Sequence, residues 1–298
     1  MNNSKMFGHE KQLQTLINSF EKKFHHAWLI SGDKGIGKNL LVKTFIDIQI
    51  SSLDKTNLEK IKKSCLFEYN NDEKLTINEV RNIINEISLT NFSDTFYKYI
   101  IIDNIESLSI NSKNALLKTL EEPPKNTVIF LISHDKQLLP KTIISRCFEL
   151  RLQNLSKNNF IKFIKFKNSS LTDNEITKLF IYSNGSPGVY EHLLNNNFVL
   201  VDKIEDLIED NKLNYIKLQK IIEFRPENNF LLLKFIKRFF YNYSKKNIIK
   251  NFQCKTVCKN TFIFFDSLKN NLDPALNVDI NNEITLIFIN FFKYIKSK

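Results

Sequence analysis

The run HHAWLISGDKGIGKN at residues 25–39 decides the fold class. Its first part, His26-Ala27-Trp28-Leu29-Ile30-Ser31, is a mainly apolar stretch of strand length. Its second part, Gly32-Asp33-Lys34-Gly35-Ile36-Gly37-Lys38-Asn39, is a glycine-rich loop leading into a helical pattern over 38–50. The spacing is that of the phosphate-binding loop G-x-x-x-x-G-K-[ST] in all but its last position. In such a loop, backbone N–H groups and a helix N-terminus face the phosphates, and the lysine neutralises them. The candidate nucleotide-binding residues are therefore Gly32, Gly35, Gly37 and Lys38, with Asn39 where a hydroxyl would bind magnesium. An amide oxygen on a longer side chain cannot lie where that hydroxyl lies, so magnesium-dependent catalysis should suffer more than phosphate binding. The whole chain has six glycines, and three fall in this loop, where positive φ and close backbone approach are needed.

Further strand-like runs lie at 64–69, 97–102, 127–133 and 147–152, with helical patterns at 76–89 and 108–120 between them. In the last helix Leu108, Leu116, Leu117 and Leu120 are spaced for one buried face, and Pro123-Pro124 end it. Strands alternating with helices predict an α/β domain with a mainly parallel sheet covered on both faces. The run Ile100-Ile101-Ile102-Asp103-Asn104-Ile105-Glu106 is a strand that delivers the Asp103 carboxylate at its C-terminal end. In an active ATPase the next residue is a base toward the attacking water. Asn104 cannot take a proton, and Glu106 is expected to turn away. Ser133 ends another strand, where a polar side chain could align a water. Beyond about residue 153 the strand signals fade. Residues 155–194 read as short helices broken at Asn184-Gly185-Ser186-Pro187-Gly188, and apolar stripes at 213–224, 229–243 and 283–295 mark a helical remainder.

A length of 298 residues suggests about two domains. Apolar residues at 42% and charged residues at 25% are those of a soluble globular protein. No apolar run approaches the ~18 residues of a membrane span, and the opening MNNSKMFGHEKQ lacks the core of a secretion signal, so a cytoplasmic location is expected. The four cysteines, Cys65, Cys147, Cys254 and Cys258, are expected to be reduced and buried. Cys254 and Cys258 have no second Cys or His pair to complete a zinc site. The net charge is +11, made of 20 basic against 18 acidic residues through 150 and 23 against 14 from 151 onward. A basic back half suits contact with nucleic acid or an acidic partner. Only five of the 43 basic residues are Arg, however, and a lysine-, asparagine- and isoleucine-rich composition from AT-biased coding explains solvated lysine faces equally well.

The segment 99–147 contains Ala115-Leu116-Leu117-Lys118 running into Glu121-Glu122-Pro123-Pro124, and it ends in Ser145-Arg146-Cys147. This block resembles the centre of bacterial clamp-loader ATPases of the AAA+ superfamily, and is most similar to the delta-prime branch of the DNA polymerase III clamp loader. FGHE at 7–10, HHAWLISGDKGIGK at 25–38 and Gly185-Ser186-Pro187-Gly188 are also similar to that family, so motif similarity covers about residues 5–190. The resemblance implies an α/β nucleotide-binding domain over 1–153, a helical lid over 154–200 and an all-α collar domain over 201–298. It also implies that Arg146, flanked by Ser145 and Cys147, enters the ATP site of a neighbouring subunit, a role suited to a fixed planar cation with several donors. Gly188 stands where active relatives carry an arginine that senses the γ-phosphate. Of the cysteine cluster that relatives carry after the first helix only Cys65 remains, so no zinc is expected.

The expected function is that of a non-motor clamp-loader subunit without ATP turnover of its own. No cofactor is required; ATP or ADP is the ligand its loop would take. Its partners would be the other loader subunits, the sliding clamp indirectly, and primed DNA within the complex, with no membrane. Two alternatives stay open: an active AAA+ motor subunit, and a nucleotide-sensing DNA-binding adaptor.

Overall fold

Successive side chains of a strand point to opposite faces, so a strand apolar at every position must be covered on both sides. The computed structural model describes residues 6–22, 24–53, 58–69, 78–80, 82, 97–168, 171–195, 199–210, 212–223, 229–270 and 279–296. Five strands form one sheet: β1 (Ala27–Ser31), β2 (Leu66–Tyr69), β3 (Lys98–Ile102), β4 (Thr127–Ser133) and β5 (Phe148–Arg151). Their order is β2-β3-β4-β1-β5, and every pairing is parallel. The helices of this part are α1 (Glu10–Lys22), α2 (Lys38–Leu53), α3 (Leu58–Cys65), α4 (Ile110–Glu121) and the short α5 (Lys141–Ile144).

Trp28, Ile30, Ile101, Phe130 and Ile132 pack on one side of the sheet with Leu16 of α1 and Leu41, Val42 and Phe45 of α2. Leu29, Ile100, Ile102, Ile129 and Leu131 pack on the other with Leu116 and Leu120 of α4 and Ile143 of α5. The parallel sheet with two covered faces is the one expected from the alternation of runs. Trp28 is 1% exposed; its indole N–H donates to the His25 carbonyl (2.8 Å), and its ring stacks on Phe24 and tilts against Phe148.

Element ends differ from the sequence reading where local chemistry intervenes. Ser64 and Cys65 close α3, so β2 begins at Leu66 and not at 64. Ser109 accepts the Ser112 N–H as an N-cap, which starts α4 at Ile110 and leaves Leu108 buried but outside the helix. Glu122, the residue before the two prolines, leaves the helical region at φ −125°, ψ 76°. The helical run expected at 76–89 lies mostly outside the described residues.

The chain divides into two compact units, Met1–Phe163 and Ile164–Lys298, with the division inside helix α6 (Lys157–Lys167). Beyond α6 lie α7 (Asp173–Ser183), α8 (Pro187–Asn195), α9 (Val199–Glu209), α10 (Tyr215–Ile222), α11 (Asn229–Lys250), α12 (Lys255–Asn270) and α13 (Ile280–Phe291). Phe240 of α11 is fully buried against Phe264 of α12 and Phe288 and Phe291 of α13. A capping box between Thr172 and Glu175 opens α7, and Asn184 closes it in the left-handed region. Pro187 is the first residue of α8, where its missing N–H is no loss, so Gly188 sits in the first helical turn and not in the break. The expectation of buried thiols fails for Cys254, which is exposed at the turn ahead of α12, while Cys258 is half-buried. No helix among the described residues is long and apolar enough to cross a membrane.

Candidate functional site

Because all strands run the same way, the segments that follow β1, β3 and β4 emerge on one edge of the sheet. In open α/β folds that edge is where ligands bind. Register fixes the levels: Ser31 pairs with Ser133 and Ile102 with Leu131, so Asp103 stands one residue below Ser133. The loop from Gly32 to Gly37 leaves this edge and runs into α2, which begins at Lys38. Gly32 has φ 143°, and a methyl group there would lie 2.5 Å from the Leu152 carbonyl oxygen. Gly35 and Gly37 also have positive φ, 84° and 97°, and a methyl on Gly37 would meet nothing within 4 Å. The buried Lys38 ammonium donates to the Gly32 and Asp33 carbonyls at 2.6 and 2.7 Å, so it lies folded along its own loop.

Asn39, in the first turn of α2, links the strand ends. Its Nδ2 donates to Glu68 Oε1 (3.1 Å) and to Asp103 Oδ2 (3.3 Å), and Lys43 pairs with Glu68 at 2.7 Å. Asp103 Oδ1 accepts the Asn104 N–H (2.8 Å), and Asn104 takes the left-handed conformation that an amide side chain tolerates. Glu106 is committed to structure: its Oε1 accepts the N–H groups of His134 (2.6 Å) and Asp135 (3.1 Å), tying the turn after β3 to the one after β4. The Ser133 hydroxyl is completely buried. Among the described residues it has no hydrogen-bond partner, nor do the buried Asn39 Oδ1, Glu106 Oε2 and Asn154 Oδ1. No group of three or more His, Cys, Asp and Glu among the described residues is placed to hold a metal ion.

Several of these contacts escape a reading of the sequence. His9 is buried, and its Nε2 donates to the Ile36 carbonyl at 2.9 Å, fastening the segment ahead of α1 to the glycine-rich loop. Burial pushes the His9 pKa below its ordinary value, outweighing that hydrogen bond and the nearby Glu10. Glu68, Lys43 and Asn154 become visible only when β2, α2 and the segment after β5 are brought together. A rule that parallel strands end side by side would have marked Glu68, because its strand neighbours that of Asp103.

Arg146 lies elsewhere. Phe148, the first residue of β5, pairs with Trp28 near the start of β1, so Arg146, in the turn just ahead of β5, lies toward the edge of the sheet opposite the glycine-rich loop. Its Nε donates to Glu121 Oε1 (2.7 Å), Nη2 forms a close ion pair with the same oxygen, and Nη1 donates to the Thr142 carbonyl (2.9 Å). Ser145 follows α5 as its C-cap, and its hydroxyl accepts a longer bond from Nη1 (3.4 Å). Burial raises the Cys147 pKa to about 12, which keeps this thiol protonated and unreactive.

Comparisons with known proteins identify the family. The family described as "DNA polymerase III, delta subunit" matches residues 8–156. The DNA polymerase III subunit gamma of Buchnera aphidicola subsp. Schizaphis graminum is 34% identical over 241 residues, covering 73% of this chain and 66% of that protein. The subunit delta-prime of the same organism is 30% identical over 284 residues, covering 91% of this chain and 78% of that one. Among solved structures, a DNA polymerase III gamma subunit-related protein from Thermotoga maritima superposes with a TM-score of 0.52 over 96% of this chain and 100% of its own, at 20% identity, a likeness of fold. The chain belongs to the clamp-loader family of bacterial DNA polymerase III, the AAA+ group that takes in the gamma, tau and delta-prime subunits.

Proposed function

We propose that the chain is a non-motor, stator-like subunit of a replicative clamp loader. It assembles with sister ATPase subunits, takes part in opening the sliding clamp for primed DNA, and lends Arg146 to a neighbour's ATP site. One observation carries the reading: Arg146 sits toward the far edge of the sheet from the chain's own loop, away from the phosphates that loop would hold. Glu121 and the Thr142 carbonyl hold the head group in one orientation while leaving its side chain 33% exposed. An ion pair this open contributes only about 0–1 kcal/mol, so exchanging Glu121 for a γ-phosphate costs little. In the neighbour's site the planar cation would stabilise the charge that builds on the transferred phosphoryl group. The chain's own site supports the division of labour. Asn104 offers no base, and a missing general base alone is worth ~10²–10⁴ in rate.

The test is ATP turnover by the loader assembled from this chain, its sister subunits, clamp and primed DNA. Arg146→Ala should slow the site it serves by about 10³–10⁵, and Arg146→Lys should not restore it, since an ammonium lacks the guanidinium fork. The lone chain should release no phosphate. Sustained turnover by the lone chain, or an assembled loader indifferent to Arg146→Ala, overturns the assignment and favours an active motor subunit.

A further inference from the structure

Magnesium is the metal that a phosphate-binding loop of this fold implies. It demands near-ideal octahedral oxygen ligation at about 2.0–2.1 Å. The residues present do not fit it. Between the two carboxylates where a cation would be welcome, Glu68 Oε1 and Asp103 Oδ2, stands the Asn39 side-chain NH₂, donating to both at 3.1 and 3.3 Å. The orientation of that amide is set by chemistry: turned over, its carbonyl oxygen would face two anions. Lys43 completes the substitution, placing an ammonium 2.7 Å from the same Glu68 oxygen. Two donor groups of the chain thus occupy the role of the divalent ion.

The phosphate half of the loop keeps its backbone form, with the Lys38 ammonium resting on the Gly32 and Asp33 carbonyls. Gly35 and Gly37 keep their positive φ, open space lies where a Gly37 side chain would be, and Lys38 begins the helix. The buried, unpartnered Ser133 hydroxyl stands at the same sheet edge as the loop. A buried hydroxyl left unpaired is unfavourable, and a polar occupant would relieve it.

We infer that this chain binds the polyphosphate of a nucleoside di- or triphosphate without magnesium, with the Asn39 amide and Lys43 standing in for the ion. The site would hold a nucleotide as a fixed structural part, ligated but not activated. This inference is independent of the role of Arg146, because it is read from a metal response and not from turnover.

Calorimetric titration of the purified full chain with ADP tests it, once with excess magnesium and once with a chelator. The dissociation constant should agree within threefold between the two. Asn39→Thr, which removes the amide and supplies the missing hydroxyl, should bind ADP at least tenfold more tightly with magnesium than without. An unchanged melting temperature and far-ultraviolet spectrum for the variant would exclude misfolding as the cause. No ADP binding at millimolar concentration, or a wild-type affinity that rises tenfold or more with magnesium, overturns the inference. An Asn39→Thr chain blind to magnesium overturns the role given to the amide.

Discussion

At Gly32 the backbone has φ 143°, and an added methyl would press on the Leu152 carbonyl, a main-chain atom that cannot swing aside. Gly32→Ala should therefore destabilise the chain by about 1–3 kcal/mol. Gly37→Ala meets only backbone strain and should cost less, an ordering that urea denaturation can check. His9 adds a pH dependence. Its buried ring is held neutral by desolvation, with a pKa below the ordinary 6.5. The unfolded chain takes up that proton near pH 6.5 while the folded chain resists it. The His9 contribution is therefore complete above pH 6.5 and is lost as the pH falls through the lower folded value. The melting temperature should drop on acidification through this window, and His9→Gln should flatten that part of the curve. The glycines, Lys38 and Asp103 were legible as a motif because their spacing along the chain is the signal. Glu68 and His9 were not, because 29 residues separate Glu68 from Asn39 and 27 separate His9 from Ile36. Only folding makes such pairs neighbours.

Among the elements, α4 carries the most consequence, since Leu116 and Leu120 cover one face of the sheet and Glu121 at its end grips Arg146. Its start depends on the Ser109 cap. Ser109→Ala should cost about 1 kcal/mol by thermal unfolding, the usual price of a lost N-cap. The strands were readable because a buried parallel strand is apolar throughout, and β4 fell on 127–133 as expected. The start of β2 was not readable: apolar character cannot tell Cys65 at the end of a helix from Cys65 at the start of a strand. The break read at 184–188 runs two residues into α8 for a related reason. Glycine signals a turn by default, but in the first turn after Pro187 it sits among backbone N–H groups that have no intrahelical partner in any case.

For the molecule as a whole, charge rather than shape was the ambiguous quantity. Residues from 151 onward hold 23 basic against 14 acidic groups, yet Lys217 is bound to Asp206 and Asp210, and the half-buried Lys237 to Glu283. These lysines are thus held by acidic neighbours within the second unit, while the net excess of basic groups is unchanged. A single subunit should bind primed duplex DNA only non-specifically, with a dissociation constant of about 10⁻⁴ to 10⁻⁶ M at physiological salt and a steep log–log salt slope. Nanomolar binding of duplex DNA by the lone chain, with a steep salt slope in a filter-binding series, would favour the DNA-binding adaptor. The second unit was legible as helical but not in its helix order, because phenylalanine-rich stripes announce burial without naming the helix they meet. One consequence concerns the indole buried near the start of β1. Trp28 is the chain's only tryptophan and lies in the sheet of the first unit. Its emission is a built-in optical reporter for that unit alone, so a spectral change on adding nucleotide or sister subunits can be assigned to the sheet without attaching a dye.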